Sequence, residues 1–310
     1  MDVAETRNLT EKSLPWRVSN NLAAWYLVAA SSDIAEGQIR PASLGSREIV
    51  LFRTKGRIHA LDPHCSHMGA KLCQGKIDGE HLVCPLHGWR YSGNGEVAGG
   101  MGRIRSWPVQ ETLGGILVFN GPKPLYAPPA HQPEFRWGGA ASTLIDAPWF
   151  ALTANAFDTH HYEAVHRRKL LEPPTLEHTD RYLFSCSYLS QVTGGHFSDR
   201  VMQYLAPRGI RVTMTCYGGP LFTVHSILDD RQASLMVGME PVGDQTRLRL
   251  LVGSQGGKLT ALIARYLYTS FLRSDLKPMS GVRLQPFTGL EVDAVIERFA
   301  RYLESLPEAE

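Results

Sequence analysis

An α+β chain built in two unlike parts is what this sequence predicts, on three observations. The first 120 residues are short β-type runs punctuated by glycine turns. A proline-rich stretch then breaks the pattern, and beyond it longer strand-type runs alternate with helical ones.

Trp25–Ala30 and Glu48–Arg53 are rich in Val, Ile, Leu and aromatics between turn residues, the mark of short strands. Lys55-Gly56-Arg57 ahead of Ile58–Leu61 predicts a tight hairpin, Gly93-Asn94-Gly95 another turn, and Gly115–Phe119 a further strand. Between Pro122 and Pro133 five of twelve residues are proline, which neither a helix nor a central strand tolerates. That stretch is expected to be an interdomain linker or surface strap. A helix is expected near Ala154–His166, followed by strands at Tyr182–Val192, Ile210–Tyr217, Leu221–Leu228, Ala233–Glu240 and Thr246–Gly253. Helices at Leu259–Arg273 and Gly289–Leu306 close the chain. Successive strands flanked by helices predict an antiparallel sheet. The expected division is a domain over 20–122, a linker over 123–137 and a second domain over 138–310.

Composition narrows the function classes. At 310 residues the chain is long enough for two cores, and 43% hydrophobic content excludes disorder as its main state. A net charge of +2 offers no broad basic field for nucleic acid. Five cysteines, an odd count, fit a reducing compartment and not a disulfide scaffold. Met1–Lys12 lacks the apolar segment of a signal peptide, and no apolar run reaches the roughly 18 residues of a membrane span, so a cytoplasmic location is expected. The 12 histidines are unevenly spread, and they lead to the chemistry.

Cys65-Ser66-His67 and Cys84-Pro85-Leu86-His87 each offer a thiolate and an imidazole, with a glycine just beyond the histidine (Gly69, Gly88). Two Cys and two His suit a tetrahedral zinc or a [2Fe–2S] cluster with sulfur on one iron and imidazole on the other. Zinc fingers usually pair Cys with Cys and His with His on separate elements. One of each per loop, in β-type sequence, favours the cluster. Cys73 lies outside this pattern and reads as a small buried hydrophobe.

Further on, Asn155-x-x-Asp158-x-x-His161-x-x-x-x-His166 carries two of the three groups of a 2-His-1-carboxylate iron site. Residues five apart lie about 140° from each other around an ideal helix. Both histidines can meet one metal if the helix ends or bulges between them, or if the metal sits near its axis.

Trp25-Tyr26-Leu27-Val28-Ala29, the Gly56 hairpin, Cys65-x-His67-Met68-Gly69-Ala70 and Cys84-Pro85-Leu86-His87-Gly88-Trp89 together resemble the Rieske domain of Rieske-type non-haem iron oxygenases, over roughly residues 20–120. Asn155–His166 is similar to the mononuclear iron motif of the same family. The resemblance implies an N-terminal all-β Rieske [2Fe–2S] domain. A catalytic domain follows, with an antiparallel sheet and flanking helices of helix-grip, START-like type. It implies Cys65, His67, Cys84 and His87 as cluster ligands, and His161 and His166 as ligands of a mononuclear Fe(II). Asp158 would bridge, by hydrogen bonds, from His161 to a cluster histidine (His67 or His87) of a neighbouring subunit, with Asn155 as a polar group beside it and His160 facing elsewhere. Glu291–Glu297 is similar to the acidic segment that supplies the family's third ligand, which makes Asp293 the expected one, with Glu297 a turn further on. Glu291 and Asp275 are the alternatives. Many members carry Arg where Met68 stands, and the missing positive charge is expected to lower the cluster potential.

The implied activity is that of a terminal oxygenase component. It would use O₂ and electrons from a separate NAD(P)H-dependent reductase, directly or through a ferredoxin, to hydroxylate or dealkylate an apolar, cyclic or polycyclic compound. No Gly-rich dinucleotide fingerprint follows a strand, so nicotinamide enters only through that reductase. The short second domain is similar to compact homotrimeric oxygenases, and His67-Met68-Gly69-Ala70 to the branch acting on steroids and polycyclic natural products. Phe157, Tyr162, Phe197 and Phe222 are candidates both for a pocket lining and for plain core. Arg167-Arg168-Lys169 is expected to be a solvated basic patch, or a dock for an acidic reductase domain or ferredoxin. The alternatives are a cis-dihydroxylating aromatic-ring dioxygenase, a Rieske electron carrier whose second domain only binds ligand, and a zinc-stabilised binding module.

Overall fold

The most apolar run of the first part, Trp25–Ala30 (β1), shows no polar alternation because both of its faces are buried. Tyr26 and Val28 enter one core, Trp25 and Leu27 another. The computed structural model describes residues 17–100, 102–282, 284 and 294–310. In the first part Ile39–Leu44 (β2), Arg47–Thr54 (β3) and Arg57–Leu61 (β4) form an antiparallel meander. The Lys55-Gly56 corner between β3 and β4 holds both residues at positive φ, 49° and 71°, as a two-residue hairpin turn requires. Lys76–Asp78 (β5), His81–Val83 (β6) and Arg90–Tyr91 (β7) make a small sheet, and Val109–Thr112 (β8) and Gly115–Phe119 (β9) complete one with β1. Arg53 on β3 reaches both Glu111 oxygens on β8, at 2.9 and 2.6 Å, and ties the sheets together.

The second part contains Arg136–Ile145 (β10), Trp149–Phe157 (α1), Tyr162–His166 (α2), Arg168–Leu170 (β11), Thr175–Asp180 (β12), Leu183–Val192 (β13) and Phe197–Leu205 (α3). Ile210–Tyr217 (β14), Leu221–Leu228 (β15), Arg231–Val242 (β16), Gln245–Ser254 (β17), Lys258–Met279 (α4) and Ala294–Glu304 (α5) follow. The strands form an eight-stranded antiparallel sheet among the described residues, ordered β10-β17-β16-β15-β14-β13-β11, with β12 also on β13. β13 alternates as a one-sided strand should, with Phe184, Cys186, Tyr188, Ser190 and Val192 inward. Helix α4 packs on β17 and β10, and α1 on α5 and β16. This is the expected α+β arrangement of sheet and gripping helix.

Three local differences from the sequence reading have physical causes. The helix expected over Ala154–His166 is two helices, interrupted at residues 158–161. Strand β10 was not anticipated because Gly138-Gly139 weakens its strand signal, and β11 and β12 are short or polar. Helix α4 runs past Arg273 to Met279, with Pro278 in its last turn. The expected start of the closing helix at Gly289 lies outside the described residues.

The two parts share buried surface. Gly238 of β16 lets Leu27 approach so closely that a Cβ there would lie 2.5 Å from the Leu27 Cβ. Glu240 beside it is buried and ion-paired to Arg247 (3.3 Å) and Arg249, and Arg249 also donates to the Leu27 carbonyl (3.3 Å). The proline-rich stretch is pinned by Tyr126, whose carbonyl accepts the Trp25 indole N–H (3.0 Å) and whose hydroxyl donates to Tyr217 O (3.1 Å). The C-terminal residues return to the first part, Ala23 N–H donating to Pro307 O (2.9 Å). Among the described residues no helix is long and apolar enough to cross a membrane.

Candidate functional site

The two Cys–His loops have one backbone design. Cys65 N–H donates to Ala70 O (2.9 Å) and Gly69 N–H returns to Cys65 O (2.9 Å). Cys84 N–H donates to Trp89 O (2.8 Å) and Gly88 N–H returns to Cys84 O (3.2 Å). Closing each turn needs a left-handed residue, and glycine supplies it, with φ of 71° at Gly69 and 72° at Gly88. Both sulfurs are therefore buried over Val50, Phe52, Leu82 and Tyr91, while His67, Met68, Leu86 and His87 are exposed. The His67 ring stacks on Trp89 and meets His87, with centroids 4.7 Å apart in each case.

The Tyr91 hydroxyl donates to Cys65 Sγ (3.1 Å) and accepts from Ser66 N–H (3.0 Å). Burial pushes the Cys65 thiol up. Hydrogen bonds from Tyr91, the His67 backbone, Cys84 and the Met68 backbone outweigh it and hold the thiol below its ordinary value. An anionic sulfur is favoured, as a metal ligand requires. Sulfur inside and imidazole outside is the donor arrangement that fits a Rieske cluster. Cys73 is half-buried in the apolar packing below these loops.

The second site begins where α1 stops. Asp158 leaves the helix at φ −77°, ψ 102°, so the angular separation of two histidines on one continuous helix does not apply. His161 Nε2 comes within 3.1 Å of His166 Nε2. Asp275 Oδ1, from α4, lies 3.1 Å from His166 Nε2 and 3.7 Å from His161 Nε2. One donor atom from each of the three residues lies within 4.8 Å of the others. Ser274 Oγ donates to Phe271 O (2.5 Å) and lies 2.9 Å from His166 Nδ1, so it accepts the Nδ1 proton and leaves Nε2 as a lone-pair donor. Phe271 stacks on the His166 ring at 3.7 Å. Burial lowers the His166 pKa against the pull of Asp275 and keeps the imidazole neutral.

His161 Nδ1 is buried without a hydrogen-bond partner, and Asp158 Oδ2 is the carboxylate oxygen 3.7 Å away. Asp158 Oδ1 accepts the His160 N–H (2.9 Å), and its side chain is 29% exposed. Burial pushes the Asp158 carboxyl up, but the nearby His161 imidazole and the His160 backbone N–H hold it below its ordinary value. Asn155 sits in the last turn of α1 and His160 is exposed. Asp293 and Glu291 lie outside the described residues. Glu297 pairs with Arg301 on α5 (3.2 Å).

An apolar cavity of about 230 Å³ lies between α4 and strands β13–β16, and His161, His166 and Asp275 form part of its wall. Tyr162 and Phe222 line it, whereas Phe157 stacks on Phe299 in the core (4.4 Å) and Phe197 is 73% exposed. Of the Arg167-Arg168-Lys169 patch, Lys169 is exposed and Arg167 partly so, but Arg168 is turned inward. Arg167 and Arg168 both turn to the buried Asp199, at 3.0 and 3.7 Å, and Arg168 is itself buried. Sequence reasoning missed Ser274, Tyr91 and the inward Arg168. Ser274 had one signal, its place beside Asp275 and three residues after Phe271 on a helical face.

The Rieske [2Fe-2S] domain family matches residues 24–108, and the chain carries that domain. A 3-ketosteroid-9-alpha-monooxygenase oxygenase component from Rhodococcus rhodochrous is 25% identical over 247 residues, 72% of this chain and 62% of the relative. A 4beta-methylsterol monooxygenase from Methylococcus capsulatus is 29% identical over 170 residues, 48% of this chain and 46% of the relative. The chain thus spans less than two thirds of the length of these relatives. Among solved structures, NdmA of Pseudomonas putida CBB5 with caffeine shares the fold at a TM-score of 0.70 and 17% identity, over 90% of this chain and 88% of that one. Apo dicamba monooxygenase does so at 0.67 and 16% identity, over 92% and 97%.

Proposed function

Starting from a chain that carries a Rieske [2Fe-2S] domain and shares the sequence and fold of Rieske-type oxygenase components, we propose that it is a terminal oxygenase component. It receives electrons from a separate NAD(P)H-dependent reductase, directly or through a ferredoxin, and monooxygenates an apolar cyclic or polycyclic compound. Residues 20–122 are the cluster domain, 123–137 the strap and 138–310 the catalytic domain. One observation carries the proposal: His161, His166 and Asp275 converge on the wall of an apolar cavity, in the same chain as the paired Cys–His loops.

Two imidazoles and one carboxylate suit Fe(II), which when bound supplies O₂ activation with electrons from the cluster. Cys65 and Cys84 would hold one iron of that cluster through sulfur, and His67 and His87 the other through imidazole nitrogen. His166 offers Nε2 because Ser274 holds the proton on Nδ1. His161 is oriented by Asp158, whose exposed edge meets a cluster histidine (His67 or His87) of a neighbouring copy in a homotrimer. The apolar lining excludes water and positions the reacting carbon. Asp275 is supported as the third ligand by its 3.1 Å approach to His166. The steroid and methylsterol monooxygenases among the relatives support a monooxygenated polycyclic substrate.

The test is iron analysis of the reconstituted full chain alongside substrate-dependent oxygen uptake with a surrogate reductase. About three irons per chain are expected. Asp275→Ala should reduce this to about two and abolish uptake, while Asp293→Ala keeps both. A wild-type chain with cluster iron alone would overturn the oxygenase in favour of an electron carrier. Loss of mononuclear iron in Asp293→Ala but not in Asp275→Ala would overturn the ligand assignment.

A further inference from the structure

The geometry points to Arg168 as the anchor for a carboxylate on the substrate, so that the cavity takes an apolar ring-bearing acid. This rests on reading the cavity as the oxygenase's substrate site. Immediately after α2, Arg167 turns the chain at φ 54°, and Arg168 enters β11 opposite Val192 of β13. That turn sends the Arg168 side chain inward. The residue is only 8% exposed and forms part of the cavity wall.

Its charge is incompletely matched. The guanidinium nitrogen Nη1 is buried without a hydrogen-bond partner, and Asp199 Oδ1 stands 3.7 Å away, beyond hydrogen-bond length. Asp199 Oδ2 already accepts from Arg167 Nε (3.0 Å) and His196 N–H (3.1 Å). One buried carboxylate therefore faces two guanidinium groups, and an arginine does not discharge by losing its proton. Of the other charged groups on the wall, Asp275 is engaged by the histidines, and Arg231 is half-exposed beside Asp230 (3.4 Å). A positive head on an otherwise apolar wall is what orients a ligand with one anionic end. A carboxylate matches the guanidinium fork with two parallel hydrogen bonds.

The spacing also serves the chemistry. Phe271 stacks on His166 at 3.7 Å, and the Arg168 guanidinium carbon lies 6.0 Å from the same ring. Anchor and metal-binding histidine thus both lie near one aromatic ring. An acid held at Arg168 lays its own ring along Phe271 and presents carbons near the carboxyl group to the His161–His166–Asp275 site.

Titration calorimetry on the metal-loaded full chain tests this with benzoate, 2-naphthoate and 9-anthracenecarboxylate, each against its neutral carboxamide. At least one acid should bind roughly 10-fold or more tighter than its amide. Arg168→Met should weaken that acid roughly 10- to 100-fold and leave the amide within about 2-fold, and Arg168→Lys should recover part of the loss. If no acid outbinds its amide in the wild type, or if Arg168→Met weakens acid and amide alike, the anchor is wrong. The wild-type ratio decides even if Arg168→Met destabilises the chain. Iron analysis and oxygen uptake separate this failure from that of the oxygenase reading. If neutral androst-4-ene-3,17-dione drives uptake at full iron occupancy and the acids do not bind, the oxygenase stands and the anchor falls. If acids bind through Arg168 in a chain without mononuclear iron, the anchor stands and the oxygenase falls.

Discussion

His166 Nδ1–H donates to Ser274 Oγ, and that single hydrogen bond leaves Nε2, the nitrogen beside Asp275, without a proton. His161 has only Asp158 in the corresponding place, at 3.7 Å. Asp158→Asn keeps the size of the side chain and removes the charge that orients His161. Both metal centres should stay loaded while turnover falls about 100-fold, read by iron analysis and oxygen uptake. Undiminished turnover at full iron occupancy would rule out this positioning role. Tyr91 acts similarly on the cluster side, donating to Cys65 Sγ. A donor to sulfur stabilises the electron-rich reduced state, so Tyr91→Phe should lower the reduction potential. A redox titration followed by EPR checks this, and an unchanged potential would contradict the assigned bond.

Among the elements, the break between α1 and α2 matters most, because it allows histidines five positions apart to share a centre. Helix α4 then supplies Phe271, Ser274 and Asp275 from one face, and strands β13–β16 close the cavity. Burial in these elements also creates a pH dependence. His59, His166 and His225 are all held below the ordinary value of 6.5, burial being the first cause in each. With depressed folded values, the unfolded chain takes up protons that the folded chain refuses as pH falls through that ordinary value. The metal-free chain should therefore lose stability from about pH 7.5 to about pH 5.5. Urea midpoints across that range check it, and a flat profile would show that these imidazoles protonate freely in place. The lowered carboxyls of Asp158 and Glu111 work in the same direction but at lower pH, where they are forced to protonate.

At the scale of the whole molecule, the two parts are fastened by β1 on β16, by Tyr126 of the strap and by the returning C-terminus. Glu240 is the charged centre of that seam, 4% exposed and shared by Arg247 and Arg249. Glu240→Ala should cost about 3 kcal/mol, because it strands a partly buried arginine. Thermal melting and faster proteolysis near residues 123–137 would report it, and an unchanged melt would show that the apolar contacts alone hold the seam. The α+β class, the antiparallel sheet and the cluster loops were legible because their signals are local: alternation within a strand, a glycine one or two residues past each histidine. His161 and His166 were legible as a pair for the same reason, although the helix break that unites them was not. Asp275 was not the preferred acid, since it lies just past the expected helix end at Arg273, and it approaches His166 because α4 runs on to Met279. Arg168 was misread because a basic run looks solvated until the left-handed turn at Arg167 reverses its direction. The sequence by itself determined the chemistry on offer, which thiolates, imidazoles and carboxylates were present and how near they lay along the chain. Tertiary structure alone decided which of them meet. A metal site or a buried charge is made by groups on separate elements, and their encounter depends on packing that local spacing does not encode.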